Sequence, residues 1–252
     1  MESNNSSSGT RGLNIVITGA SKGIGKAIAE KFADDKHGHY FFLCSRNNET
    51  LLQTGKELQE KFPRNNIYTR ACDVSIKAEV KKFGDWILQQ VDSVDILVNN
   101  AGPFIPGNVY DEEDGALEEM MAAHLYGAYY LTRILLPGMM KQNPPASSGR
   151  HVFNICSIAS LQAYPNGGAY SISKFALDGF SKNLRHEMKP HNIKVTSVYP
   201  GAVYTDSWSG TGINPERIMQ AEDIAKMIYA VTQLSPQACV EEIVIRPQLG
   251  DL

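Results

Sequence analysis

Apolar positions along this chain follow two alternating periods. The run "LNIVITG" at residues 13–19 is short, almost continuously apolar and rich in β-branched side chains, as a strand buried on both faces would be. The next stretch, "IGKAIAEKFADD", sets Ile24, Ala27, Ile28 and Phe32 at helical spacing on one face. The strand-like runs continue as "HYFFLCS", "NIYTRACD", "VDILVNNAG", "HVFNICS" and "IKVTSVYPG". Between them lie helical stretches: "ETLLQTGKELQEKF", "KAEVKKFGDWILQQV", a long one from about Ala116 to Met140, and another from about residue 169 to 189. Apolar strands alternating with amphipathic helices predict a parallel sheet covered on both faces. The expected fold is single-domain, doubly wound α/β (Rossmann) with about seven strands.

No repeat, charge block or long linker divides the pattern, so residues 12–252 are expected to form one Rossmann-type domain. The polar start, residues 1–11, reads as a disordered tail, and "NPPASSG" at 143–149 as a helix-to-strand loop. From 204 to 218, "YTDSWSGTGINPERI", periodicity fails just after a strand, where sheets of this kind bind ligands, so a substrate lid is expected there.

Composition acts mainly by exclusion. With 252 residues, 42% hydrophobic and 20% charged, the chain has the make-up of a soluble globular protein. Its 24 Lys and Arg against 27 Asp and Glu, a formal charge of −3, give no field to hold nucleic acid or an anionic membrane. Cys44, Cys72, Cys156 and Cys239 are widely separated, with no CxxC pair, so neither a metal site nor a disulfide framework is expected. Reduced thiols, the lack of an apolar run of about 18 residues and the lack of a signal-peptide pattern predict a cytoplasmic location without a membrane span.

The first strand ends in "TGASKGIG", with Gly19, Gly23 and Gly25 at a strand-to-helix turn. Such glycines let the backbone approach a pyrophosphate at the helix N-terminus, with Ser21, Lys22 and Ile24 alongside. Where an NAD site places an acid after the second strand, this chain has Ser45 and Arg46. A guanidinium there pairs with a 2′-phosphate and Lys22 adds a second positive charge, which predicts NADP(H) over NAD(H). Further on, "SIASLQAYPNGGAYSISK" closes a strand with Ser157 and sets Tyr170 and Lys174 on one face of the next helix. An ammonium beside a phenol is expected to lower its pKa toward the working range, making Tyr170 a proton donor, while Ser157 polarises a carbonyl and stabilises its oxyanion.

These residues together resemble the short-chain dehydrogenase/reductase superfamily: TGxxxGxG at 18–25, NNAG at 99–102, Ser157 ahead of the YxxxK of Tyr170 and Lys174, and PGxVxT at 200–205, spanning about residues 12–246. The resemblance implies a carbonyl reductase with Asp73 and Val74 at the adenine and Asn100, Ala101 and Gly102 on the adenine-ribose side. It also implies Tyr170 and Lys174 at the nicotinamide ribose and Pro200, Gly201, Val203 and Thr205 at the carboxamide. Read without it, Asp73 only caps the helix beginning near Ser75, and Asn99 and Asn100 only satisfy turn backbone. Homodimers or homotetramers are implied by analogy, through the helices at 116–140 and 169–189.

One position departs from that superfamily. Where it carries an Asn in the long helix, "HLYG" has His124, in a setting that otherwise suits a core histidine bonded to a backbone carbonyl. A neutral imidazole offers one donor and one acceptor, so His124 is expected to support proton supply to Tyr170 through Lys174, with activity falling as His124 protonates. "PGAVYTDSW" and "EEIVIRPQLGD" narrow the likeness to bacterial sepiapterin reductase-like proteins, implying a pterin side-chain ketone as substrate. Asp251 or Asp206 would then anchor the guanidine-like ring edge. Trp208, Tyr204 and Tyr164 offer aromatic faces near strand ends, Tyr164 and Trp208 being set with Ser157 and Tyr170 as substrate contacts. Reduction of another ketone, a diketone or a 3-oxoacyl thioester, and NADP(H) binding without turnover, stay open as alternatives.

Overall fold

The computed structural model describes residues 12–141, 150–205, 208 and 212–251. The tail at 1–11, the 143–149 loop and Asp206 lie outside the described residues.

Seven parallel strands form the central sheet: β1 Asn14–Thr18, β2 Tyr40–Ser45, β3 Asn66–Ala71, β4 Ile96–Asn99, β5 Arg150–Ile155, β6 Ile193–Pro200 and, later in the chain, β9 Glu242–Ile245. Their order is β3-β2-β1-β4-β5-β6-β9. Both faces are buried because alternate residues serve opposite layers. Ile15, Ile17, Phe41 and Leu43 pack with α1 (Gly23–Ala33), α2 (Asn48–Lys61) and α7 (Ala221–Thr232). Val16, Phe42, Leu97 and Val152 pack with α3 (Lys77–Gln90), α5 (Ala128–Lys141) and α6 (Gly168–Met188). Each such fully buried Ile, Leu or Phe contributes about 1.5–3 kcal/mol, which fixes strand register and face together.

Winding reverses between β1 and β4, opening a crevice at their carboxyl ends. Asn99 Nδ2 donates to Asn154 Oδ1 (2.8 Å) and Thr132 Oγ1 (3.1 Å), and Asn154 Nδ2 to Ser181 Oγ (2.8 Å), tying β4 and β5 to α5 and α6 just beneath that crevice.

Three features differ from the pattern read in the sequence. The stretch from Ala116 is not one helix: α4 (Ala116–Met121) passes through a π-helical turn, Ala122–Gly127, into α5. The π turn occurs where His124 points inward and where the backbone runs close to the β3–α3 loop, since a Cβ on Gly127 would lie 2.6 Å from the Val74 carbonyl oxygen. Secondly, α7 and β9 complete the layers beyond the alternation recognised. Thirdly, the aperiodic 204–218 stretch is held at its base by the two-residue strands β7 (Val203–Tyr204) and β8 (Met219–Gln220), with a 3₁₀ turn at Pro215–Arg217.

Candidate active site

A cleft of about 890 Å³ lies over the carboxyl ends of β1, β4, β5 and β6. Of the residues singled out for cofactor or carbonyl chemistry, Gly25, Asn99, Tyr204 and Asp251 do not line it; the other described ones do.

At one end is the glycine turn. Gly19 (φ +66°) and Gly23 (φ +56°) hold left-handed backbone that disfavours any side chain, and a Cβ on Gly25 would meet the Gly19 carbonyl oxygen at 2.3 Å. Gly25 is therefore a packing position under the cradle. Asn100 Nδ2 donates to the carbonyls of Thr18 (2.9 Å) and Gly19 (3.1 Å), and Thr18 Oγ1 accepts from the backbone N–H groups of Asn100 and Ala101 (both 3.0 Å). The turn is thus locked to β4, with the N-terminus of α1 and its open N–H groups facing the cleft, a fit to a bound phosphate.

Beside it, Ser45 Oγ donates to the Asn47 carbonyl (3.0 Å), and Arg46 stands exposed with Nη1 3.9 Å from Glu119 Oε1. Asp73 Oδ1 accepts from the Ser75 backbone N–H (2.9 Å) and hydroxyl (2.7 Å), so it caps the turn before α3, whose first residue is Lys77 rather than one near Ser75.

Ser157, Tyr170 and Lys174 meet at the other end. Ser157 follows β5 and caps the 3₁₀ turn Ile158–Ser160, its Oγ accepting from the Ala159 N–H at 3.1 Å. It lines the cleft together with Tyr170. Lys174 is 5% exposed and its Nζ donates to the Ile155 carbonyl (2.8 Å) while lying 5.7 Å from the Tyr170 ring centroid. Burial lowers its pKa to about 8, opposed by Cys156. The expectation that Lys174 lowers the phenol pKa is not met: burial raises the Tyr170 pKa, and the group opposing that rise is Ser157. The ammonium is turned to a backbone carbonyl instead.

His124 is 2% exposed, with Nδ1 2.8 Å from Ser173 Oγ, and Ser173 Oγ donates to the Tyr170 carbonyl (2.8 Å). A hydroxyl has one hydrogen, so in this arrangement Nδ1 of the neutral ring donates to Ser173. Nε2 is then a buried acceptor without a partner of good geometry. Burial and then the Lys174 charge lower the His124 pKa well below 6.5, overcoming the Pro103 carbonyl, which favours the protonated ring. Its hydrogen-bonded link therefore runs to Ser173 and the Tyr170 backbone rather than to Lys174, and titration near neutrality is not what this burial allows. The ring fills the side of Gly102 that a Cβ would occupy, 1.9 Å from its Cδ2. Together with Phe104 it brackets Tyr170, the ring centroids lying 4.9 Å (Phe104) and 5.6 Å (His124) away, both edge-on.

On the outer side, Tyr164 and Trp208 line the cleft, and the Trp208 backbone N–H donates to the Thr205 carbonyl (2.9 Å). Asp251 is ion-paired through Oδ2 to Arg246 Nη1, and a Cβ on Gly201 would meet its Oδ1 at 2.9 Å. After burial, its charge raises the Tyr164 pKa. Asp251 thus does not line the cleft; Arg246 holds its Oδ2, while its buried Oδ1 has no hydrogen-bond partner. Phe104, Glu119 and Ser173 were not singled out from the sequence: Phe104 lies in an aperiodic loop, and the other two read as ordinary helix residues. Among the described residues no group of three or more His, Cys, Asp or Glu is placed to hold a metal ion, and no helix is long and apolar enough to cross a membrane.

Comparison with known proteins agrees with this geometry. The sepiapterin reductase of Chlorobaculum tepidum is 33% identical over 244 residues, covering 94% of this chain and 97% of that protein. An alcohol dehydrogenase from the archaeon Thermococcus sibiricus, solved with 5-hydroxy-NADP, superposes with TM-score 0.83 at 26% identity, covering 94% of this chain and 97% of that one. The L-sorbose reductase of Gluconobacter frateurii, solved with NADPH and L-sorbose, gives TM-score 0.81 at 26% identity over 93% and 95% of the two chains. The sequence profile of short chain dehydrogenases matches residues 13–214, and with the sheet order, the glycine turn and the Ser157–Tyr170–Lys174 grouping, the chain belongs to the short-chain dehydrogenase/reductase family.

Proposed function

We propose that this protein is an NADPH-dependent carbonyl reductase whose substrate is a ketone on the side chain of a pterin. The observation that carries the reductase reading is that Ser157, Tyr170 and Lys174 line the same cleft as the glycine turn and Arg46. A dinucleotide laid from Arg46 past the N-terminus of α1 would end beside Tyr170, with Lys174 and the Pro200–Thr205 segment at its far end. Such a cofactor, when bound, supplies the hydride that reaches the carbonyl carbon.

The chain's own residues handle the oxygen. Ser157 donates a hydrogen bond to the carbonyl oxygen and stabilises the negative charge that grows there. Tyr170 transfers its phenolic proton to that oxygen, so C=O becomes CH–OH, and the phenolate is reprotonated from solvent. The Lys174 ammonium, held by the Ile155 carbonyl beside the phenol, would bind the nicotinamide ribose of the cofactor, and His124 positions Tyr170 through Ser173. Proton donation by a placed side chain contributes about 10²–10⁴ in rate.

The pterin reading is supported by the likeness to a sepiapterin reductase over nearly the whole chain and by Tyr164 and Trp208, whose rings suit a flat heterocycle. The side-chain carboxylate of Asp251 is a poor anchor for the ring because it does not line the cleft and Arg246 holds its Oδ2. NADPH oxidation against sepiapterin, small diketones, sugars and acetoacetyl thioesters tests both levels. Sepiapterin is expected to give the highest kcat/KM; preference for another ketone overturns the pterin reading alone. NADPH binding with no turnover on any member overturns the reductase reading.

A further inference from the structure

We propose that Glu119 is the counter-ion Arg46 must release when a 2′-phosphate binds, so that this carboxylate limits how strongly the site favours NADPH over NADH. The proposal rests on the reading above that the cleft takes NADP(H). Arg46 ends the β2 edge of the cleft and Glu119 lies on α4, far away in sequence, yet the fold brings Nη1 and Oε1 to 3.9 Å and both side chains line the cleft. The other lining carboxylate, Asp73, is engaged by Ser75, so Glu119 is the acid that faces the guanidinium.

A guanidinium presents the same fork of donors to a carboxylate and to a phosphate, and it cannot serve both in full. A phosphate arriving at Arg46 also comes within a few ångströms of a like charge. NADH lacks that phosphate and leaves the pair intact. Both side chains are more than half exposed, at 62% and 52%, so water screens the pair and the competition is modest. An exposed pair of this kind corresponds to about two- to fivefold in affinity. Its functional consequence is easier release of the phosphorylated cofactor after turnover.

The test is equilibrium titration of the full chain with NADPH and with NADH, followed by nicotinamide fluorescence, in the native protein, Glu119→Gln, Arg46→Gln and the double variant. Glu119→Gln is expected to tighten NADPH about two- to fivefold, to leave NADH unchanged, and to lose that gain in the Arg46→Gln background. Equal NADPH affinity in native protein and Glu119→Gln, or a gain that persists without Arg46, overturns the counter-ion role while native preference for NADPH keeps the cofactor reading. A native protein that binds NADH as tightly as NADPH overturns that reading first and this proposal with it. Glu119 is half exposed, and matching thermal melts of the variants establish that the comparison is between folded proteins.

Discussion

Lys174 and His124 are two bases in one buried neighbourhood, and burial shifts both toward the neutral form. The outcomes differ because their ordinary values differ. With its pKa near 8, Lys174 stays mostly charged at neutrality, whereas His124, held well below 6.5, stays neutral and serves as a hydrogen-bonding spacer to Ser173. The kcat/KM for carbonyl reduction is therefore expected to be level up to about pH 8 and to fall about tenfold per unit above it, as the ammonium is lost. No inflection near 6.5 is expected. Profiles from pH 5.5 to 10 in native protein and His124→Asn check this: an acid limb near 6.5 that only the native protein shows would mean that the imidazole titrates in the working range.

At the scale of elements, α6 carries Tyr170, Ser173 and Lys174, and its 21 residues begin at Gly168 with no capping side chain of their own. The cap comes from elsewhere: Glu112 Oε2 accepts from the Ala169 N–H at 2.9 Å, and a Cβ on Gly168 would lie 2.5 Å from that oxygen. Gly107 bridges to Gly167 alongside, so the loop bearing Phe104 is fastened to the helix bearing Tyr170. Glu112→Ala is expected to cost about 1 kcal/mol in urea unfolding, the usual worth of a cap at a helix N-terminus. Because the loosened loop forms one wall of the cleft, KM should rise more than kcat falls; an unchanged KM would detach Phe104 from substrate binding. This fastening was not legible in the sequence, since Glu112 lies in an aperiodic, acidic stretch far from the helix it caps. The π turn was hidden for a related reason: the apolar spacing of residues 116–140 suits an α-helix, and the widened turn follows from tertiary contacts of His124 and Gly127. By contrast, the glycine turn and the Ser157, Tyr170 and Lys174 grouping were legible because backbone geometry and helical spacing are local.

For the whole molecule, the two-faced sheet was legible because buried parallel strands leave a contiguous apolar trace, while polar groups inside that sheet leave none. His151 is the clearest case. It lies in β5 with Nε2 2.7 Å from Thr196 Oγ1, which itself donates to the Val240 carbonyl, and the ring stacks on Phe153 at 3.9 Å. Burial, aided by the Lys194 charge, lowers its pKa to about 3. The unfolded chain takes up this proton near pH 6.5 and the folded one does not until about pH 3, so the stabilisation is complete above 6.5 and is lost as pH falls toward 3. His124 acts in the same direction. Each such histidine steepens the loss by about 1.4 kcal/mol per pH unit once it is protonated in the unfolded chain. Urea unfolding between pH 6 and 5, above the range where ordinary carboxylates titrate, should show stability falling with pH, and His151→Gln should remove one histidine's share of that slope. An unchanged slope in the variant would mean that the ring is protonated within the folded sheet and that acid unfolding of this molecule begins elsewhere.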